Sequence, residues 1–279
     1  MSEINKKIDI PIYIINLKKD IEKKEHMQKL CEKHNLYQEF INAVDGRLLS
    51  EENINEIYSS AKAINTIGRE LSRGEIGCAL SHISIYKKMV NENISEAIVF
   101  EDDIEFNNNL LKVLHKINNF PDNWNLVLLG HHACPARDIE THYSFWEKKG
   151  LDNTYMIARP AEMGCGTYGY ILKLEAAKIL LHDLKILEKP IDHYTGIDKK
   201  LNLYIVSPAV IKIHDFLSNT YHSMEDRKKL QKKQKSIIYS RKRKVLIFFY
   251  LNKVWDKING KYIRLKQFLK RRRKYEKYG

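Results

Sequence analysis

The sequence predicts an α/β layered domain. Three observations carry that expectation: short, β-branched apolar runs recur along the chain, segments with apolar residues on helical spacing lie between them, and no repeat on the order of 20 to 50 residues is visible. Ile10-Pro11-Ile12-Tyr13-Ile14-Ile15 reads as a buried parallel strand ending at polar Asn16. Residues 20–34 carry Ile21, Met27, Leu30 and Cys31 among charges, the pattern of a solvent-facing helix that starts near an Asp20 cap. Residues 40–44 read as a second strand, ended by the turn signal Asp45-Gly46. Residues 74–90 place Ile76, Ala79, Leu80, Ile83 and Tyr86 on helical spacing, as a packed helix does. Ala97-Ile98-Val99-Phe100 is another buried run, and it finishes in the carboxylates Glu101, Asp102 and Asp103. Leu126-Val127-Leu128-Leu129 repeats the strand pattern before Gly130. Residues 168–172 predict a strand leading into a helix over 174–183, and residues 203–206 a last strand.

A chain of 279 residues with 43% hydrophobic content can fill a sizeable core, which excludes disorder throughout. With 30% charged residues and no apolar run near the roughly 20 residues that cross a bilayer, an integral membrane protein is not expected. Residues 1–9 lack the apolar stretch of a secretory signal, so a cytoplasmic or membrane-peripheral location is expected. Cys31, Cys78, Cys134 and Cys165 form neither a CxxC pair nor a disulfide ladder; reduced thiols are the expectation, and a zinc site built from distant Cys and His is the lesser alternative, since the short ligand spacings of structural zinc sites are missing. The net charge of +13 is unevenly placed: residues 225–279 hold 21 Lys and Arg against 4 Asp and Glu, and the remainder 27 against 31. Two segments follow, a mildly acidic body at 1–224 and a basic helical tail at 225–279.

The chemistry is densest at the acidic triplet. Strand alternation would turn Glu101 and Asp103 to one side and Asp102 to the other, a ready clamp for a divalent cation, while a solvated acidic turn is the plainer alternative. Open α/β sheets bind ligands at the C-terminal ends of their strands, and hard oxygen donors suit Mg²⁺ or Mn²⁺ with phosphate as counter-ligand. The run Arg73-Gly74-Glu75-Ile76-Gly77-Cys78-Ala79-Leu80-Ser81-His82 reads either as a helix start that offers amides to an anion or as a packing device, with His82 in a core hydrogen bond. Gly164-Cys165-Gly166-Thr167-Tyr168-Gly169-Tyr170 allows the main chain to press against a ligand, or simply turns into a strand. Asp192 follows Lys189-Pro190-Ile191 in a stiff loop, as a candidate base or a helix cap.

Taken in order, Ile14-Ile15-Asn16-Leu17, Ala43-Val44-Asp45-Gly46, Gly74-Glu75-Ile76-Gly77-Cys78-Ala79-Leu80-Ser81-His82, Phe100-Glu101-Asp102-Asp103, Gly166-Thr167-Tyr168-Gly169-Tyr170 and Pro190-Ile191-Asp192 resemble glycosyltransferase family 25 over residues 10–221. That family comprises the lipooligosaccharide glycosyltransferases, among them bacterial β-galactosyltransferases, and the related collagen galactosyltransferases. The resemblance implies the A-type glycosyltransferase fold, a Rossmann-like sheet that binds a nucleotide sugar, and metal-dependent transfer with inversion. It implies Glu101 and Asp103 as metal ligands for Mn²⁺ or Mg²⁺, with Asp102 near the ribose or sugar. Asn16, Gly166, Thr167 and Gly169 would join Asp102 in binding the donor. Such a transfer needs one base, and Asp192, in a stiff loop apart from the metal motif, is the first candidate, with Asp198 and Asp215 as reserves; His214 and His222 are further metal-shell candidates, with solvated or core histidines as the plainer reading. One departure stands out: Lys18, Lys19, Lys23 and Lys24 occupy positions where such families carry arginine, so bidentate phosphate contacts are not expected there.

The expected function is transfer of a hexose, galactose from UDP-galactose first, to a lipid-linked lipooligosaccharide or lipopolysaccharide acceptor. The alternative is a non-catalytic, degenerate transferase domain that binds membrane or nucleic acid through its tail. In that tail, Val245-Leu246-Ile247-Phe248-Phe249-Tyr250-Leu251 is flanked by Arg241-Lys242-Arg243-Lys244 and Lys270-Arg271-Arg272-Arg273-Lys274, which suits an anionic membrane surface, with a solvated charged helix packed on the body as the plainer alternative and nucleic-acid binding as a third.

Overall fold

The computed structural model describes residues 8–133, 139–196 and 200–214. In chain order, β1 (Ile12–Asn16) leads to α1 (Ile21–Lys33) and β2 (Gln38–Asn42), then to α2 (Glu51–Ile57), α3 (Ser60–Ile67) and α4 (Arg73–Asn91). Next come β3 (Glu96–Glu101), β4 (Ile104–Phe106), α5 (Asn108–Leu114), β5 (Leu126–Leu128), β6 (His132–Ala133), β7 (Tyr143–Gly150) and β8 (Met156–Pro160). The described chain ends with β9 (Gly164–Cys165), β10 (Gly169–Lys173), α6 (Leu174–Asp183), α7 (Asp192–Thr195), β11 (Leu203–Ser207) and β12 (Ile211–Ile213).

One sheet of eight strands, ordered β2-β1-β3-β10-β5-β11-β8-β7, forms the centre. β1 pairs parallel with β2 and β3, and β5 with β11, while β10 and β8 run against their neighbours. This is the α/β class expected from the sequence, with a mixed rather than wholly parallel sheet. Alternate side chains of each central strand enter opposite cores. Ile12, Ile14, Ile98, Phe100, Val127, Ile171 and Val206 pack on one side with Met27 and Cys31 of α1 and Leu110 and Val113 of α5. Tyr13, Ile15, Ala97, Val99, Leu126, Leu128, Tyr170 and Ile205 pack on the other with Ile76, Tyr86 and Met89 of α4 and Ala176 and Leu180 of α6. Both faces are covered, which is why these strands read as continuous apolar runs.

The strands expected at 10–15, 97–100, 126–129, 168–172 and 203–206 and the helices expected at 20–34, 74–90 and 174–183 are present, with ends within a residue or two of those positions. The second strand ends at Asn42, and Asp45 caps a short 3₁₀ turn over Gly46–Leu48, its side chain accepting from the Arg47 amide. The tail, its proposed helix and the boundary at 224/225 lie outside the described residues, as do Asp198, Asp215 and His222. Among the described residues no helix is long and apolar enough to cross a membrane.

Candidate active site

The register places the site. Ile15 of β1 lies opposite Glu101 of β3, so Asn16, the last residue of β1, and Asp102, the first after β3, emerge side by side. β10 runs antiparallel beside β3 with Gly169 opposite Phe100, which brings the segment before β10 to the same edge. The Tyr168 carbonyl accepts from the Glu101 amide at 2.9 Å and ties the two together.

β3 ends at Glu101, so strand alternation does not set the directions of Asp102 and Asp103, which lie in the following turn. This corrects the expected picture of Asp102 pointing away alone. Lys23, reaching from α1, sits between the two, 3.0 Å from Asp102 Oδ1 and 3.6 Å from Asp103 Oδ2. Asn16 Nδ2 donates to Asp102 Oδ2 at 2.7 Å and to the Asp20 carbonyl at 3.1 Å. Asn16 and Asp102 are therefore buried partners of each other. Burial raises the Asp102 carboxyl above its usual range against the pull of Lys23 and Asn16. Burial, then the charge of Glu101, raises Asp103 as well. Burial works against the charge of Lys23, yet Asp103 and Asp102 outweigh it and hold the ammonium more firmly protonated than usual.

Glu101 faces α4. Its Oε1 lies 3.4 Å from His82 Nε2 and 4.0 Å from Cys78 Sγ, and its side chain remains 28% exposed. His82 is fully buried, with Nδ1 2.9 Å from the Tyr170 hydroxyl. The core hydrogen bond foreseen for His82 is present, and so is a contact with the acidic triplet that the sequence did not reveal. The only signal for it was the four-residue spacing of Cys78 and His82 on one helix face. Burial pushes the Cys78 thiol well up, and the charges of Glu101, Asp192 and Asp103, in that order, push it further.

The glycine motifs serve protein packing. A Cβ on Gly77 would lie 2.5 Å from the Val44 carbonyl and 2.6 Å from the Gly46 amide, so α4 meets the Asp45-Gly46 turn backbone to backbone. The start of α4 is not open to an anion in the way one reading of the motif supposed. Ser72 and Glu75 form a reciprocal capping box, Ser72 Oγ accepting from the Glu75 amide at 3.2 Å and Glu75 from the Ser72 amide at 2.8 Å. Arg69 then grips the Glu75 carboxylate at 2.8 and 2.7 Å.

A Cβ on Gly166 would overlap the Gly130 carbonyl, and one on Gly169 would lie 2.6 Å from Ile211 Cδ1. Protein, rather than ligand, fills the space beside both. The amides of Gly166 and Thr167 donate to Asp192 Oδ1 at 3.3 and 3.1 Å, and Thr167 Oγ1 donates at 2.6 Å. Asp192 is the first residue of α7 but does not cap it; its side chain reaches across to the loop before β10. Its second oxygen accepts no hydrogen bond among the described residues. His214 donates its backbone amide to the Asp103 carbonyl at 2.7 Å, and its ring nitrogen Nε2 lies 3.1 Å from Glu105.

Glu101 and Asp103 offer the hard carboxylate oxygens that suit a divalent cation; burial, then the charge of Glu101, disfavours the charged form of Asp103, and a bound cation would offset both. The molecule is thus an α/β protein that gathers carboxylates at the ends of its parallel strands, the edge at which open α/β sheets bind their ligands.

The chain belongs to glycosyltransferase family 25, whose profile, described as "Glycosyltransferase family 25 (LPS biosynthesis protein)", matches residues 9–195. It is 27% identical over 184 residues to human procollagen galactosyltransferase 2, covering 61% of this chain and 27% of that protein. It is 32% identical over 205 residues to a glycosyltransferase 25 family member of Aedes aegypti, covering 67% of this chain and 30% of that protein. The chain thus spans less than a third of the length of these relatives. A crystal structure of a glycosyltransferase involved in the glycosylation of the major capsid of PBCV-1 aligns over 63% of this chain and 65% of its own, with 13% identity and a TM-score of 0.29, too low to support any inference.

Proposed function

We propose that the chain is a metal-dependent, inverting hexosyltransferase that moves galactose from UDP-galactose to a lipooligosaccharide or lipopolysaccharide acceptor. The observation that carries this reading is the anchoring of Asp192 on Gly166 and Thr167, directly before Tyr168, whose carbonyl accepts from the Glu101 amide next to Asp102 and Asp103, all inside the segment that matches the family. The galactosyltransferase names of relatives support the sugar, and the family's description supports the acceptor.

In this reading Glu101 and Asp103 hold Mn²⁺ or Mg²⁺. Such a cation, when bound, acts as a Lewis acid toward the charge that develops on the departing diphosphate. Asp192 is oriented through Oδ1 by Gly166 and Thr167, and its other oxygen takes the acceptor hydroxyl proton as the new glycosidic bond forms and the sugar–phosphate bond breaks. Gly166, Thr167 and Gly169 act on the donor through the position they give Asp192 and β10. Asn16 and Lys23 fix Asp102, which faces the donor's ribose or sugar from a restrained position. The reading extends to a cytoplasmic enzyme held at the inner face of a membrane by its basic tail.

The test is UDP release with Mn²⁺ and a lipooligosaccharide acceptor, using UDP-galactose, UDP-glucose and UDP-N-acetylglucosamine in turn. Highest release from UDP-galactose, with a β-linked product by NMR, is expected. Release from none of the three refutes the reading and leaves a non-catalytic binding domain. For the tail, sedimentation with anionic vesicles is expected to fall when the chain is cut after Tyr221; equal binding refutes the membrane role.

A further inference from the structure

Among the described residues, one group of three metal-capable side chains brings its ligand atoms within 4.8 Å of one another, and it is not the oxygen clamp: it consists of Cys78, His82 and Glu101. We propose that these three form a cation site of their own, suited to a borderline-soft ion of the Zn²⁺ type, beside the carboxylate pair assigned to the donor's cation. The proposal concerns binding alone and stands or falls independently of sugar transfer.

Geometry comes first. Cys78 and His82 are four residues apart on α4 and project from one face, and Glu101 closes the group from the end of β3. Zinc bonds of about 2.3 Å to sulfur and about 2.0 to 2.2 Å to nitrogen and oxygen place tetrahedral ligands roughly 3.4 to 3.6 Å apart. His82 Nε2 and Glu101 Oε1 already stand 3.4 Å apart, Cys78 Sγ stands 4.0 Å from the same oxygen, and all three ligand atoms lie within 4.8 Å of one another, so side-chain movements of about an ångström or less close the site to zinc bond lengths. Only Oε1 of Glu101 enters these contacts, which leaves its other oxygen for the neighbouring clamp.

The support behind the ligands is also present. A ligating histidine characteristically donates its second ring nitrogen to a fixed acceptor, which sets the tautomer. His82 Nδ1 meets the Tyr170 hydroxyl at 2.9 Å, and that hydroxyl meets the Tyr86 hydroxyl at 2.9 Å, all three side chains being fully buried. With Nδ1–H donating to Tyr170, and Tyr170 donating to Tyr86, the Nε2 lone pair faces Cys78 and Glu101. On binding, the Cys78 thiol gives up its proton to solvent and the sulfur–metal bond forms, while His82 stays neutral. Three protein ligands leave a fourth position for water or a ligand oxygen, the arrangement of an open rather than a purely structural zinc site.

The experiment uses the full chain stripped of metal by chelator, then titrated with Co²⁺ and Zn²⁺. Expected are a thiolate-to-cobalt charge-transfer band, tetrahedral-type visible absorption, and displacement of one Co²⁺ per chain by Zn²⁺. Cys78→Ser removes the band and weakens Zn²⁺ binding at least tenfold. Tyr170→Phe, which keeps every ligand, weakens it on the order of 10 to 100-fold. Near-UV circular dichroism shows that each variant is folded, and Cys78→Ser alone decides if Tyr170→Phe does not fold. A wild-type chain without the band, or a Cys78→Ser chain that retains band and affinity, overturns the proposal. A chain that shows the band yet releases no UDP from any donor keeps this site and loses the transferase reading.

Discussion

Asp192 holds a loop in the structure and takes a proton in the proposed reaction, and two substitutions tell these roles apart. In Asp192→Ala the amides of Gly166 and Thr167 and the Thr167 hydroxyl lose a common acceptor, in a segment that is buried. A hydrogen bond to a charged group is worth about 1.5 to 3 kcal/mol, and bonds that share one oxygen do not add fully. A loss of about 3 kcal/mol is therefore expected, out of a typical total of about 5 to 15 kcal/mol. For a domain of this size that corresponds to a fall in Tm of roughly 6 to 12 °C. Asp192→Asn keeps an acceptor oxygen in place and costs only about 1 kcal/mol, since charge rather than contact is lost. Its turnover, however, is expected to fall by roughly 10² to 10⁴-fold with donor affinity unchanged, because an amide cannot take the acceptor's proton. The assays are thermal unfolding of both variants, UDP release at saturating donor, and donor binding by calorimetry. Wild-type turnover in Asp192→Asn removes the residue from the base role. An Asp192→Ala chain as stable as wild type refutes the loop-holding role.

Lys23→Met leaves Asp102 and Asp103 without their shared cation, and breaking such a buried pair costs about 3 to 5 kcal/mol. Added Mn²⁺ is expected to restore part of that in urea unfolding, whereas a variant indifferent to Mn²⁺ counts against the carboxylate clamp. Gly77→Ala, which would ordinarily stabilise a helix by about 1 kcal/mol, is expected to destabilise by about 1 to 3 kcal/mol because its methyl meets the backbone of Val44 and Gly46; a variant more stable than wild type in urea would falsify that packing account. His131 accepts from the Thr141 amide at Nδ1 (3.2 Å) and donates from Nε2 to the Val206 carbonyl (2.8 Å), and burial lowers its pKa below the ordinary 6.5. Below about pH 6.5 the unfolded chain takes up a proton that the folded one refuses, so stability drops as pH falls toward the depressed folded value. That slope is expected to shrink in His131→Gln, and an unchanged pH profile of stability refutes it.

What the sequence disclosed was local. The central strands were legible because burial on both faces leaves an unbroken apolar run, as in Ile12 to Ile15 and Ala97 to Phe100. β7 escaped notice because it is an edge strand with an almost wholly exposed pattern, Tyr143-Ser144-Phe145-Trp146-Glu147-Lys148-Lys149, that shows no alternation. β8 was masked by Arg159 and Pro160. α2 and α3 are only 7 and 8 residues long, too short for periodicity to declare itself, although Ser50 and Ser59 cap them. At the site, Glu101, Asp102 and Asp103 were found as residues, but their partners were not. Lys23 reaches them from 79 positions away and Tyr170 reaches His82 from 88. Contacts of that separation depend on sheet order, which the antiparallel insertion of β10 between β3 and β5 decides and no local pattern encodes.

The run from Ser72 to His82 is better understood as a chain of constraints than as a ligand cradle. Ser72 and Glu75 close the start of α4, and Arg69 neutralises Glu75 from outside. Gly77 then admits the Asp45-Gly46 turn, and Ser81 fastens it, its Oγ accepting from the Val44 amide at 2.8 Å and donating to the Gly77 carbonyl at 2.8 Å. With the helix fixed in rotation and in height, Cys78 and His82 have no choice but to face Glu101. A change at Gly77 or Ser81 should therefore alter the chemistry at Glu101 without touching it. Loss of the Cys78–Co²⁺ band in a folded Gly77→Ala chain is the outcome this coupling requires, and an undisturbed band in that chain would show that α4 is positioned by its apolar face alone.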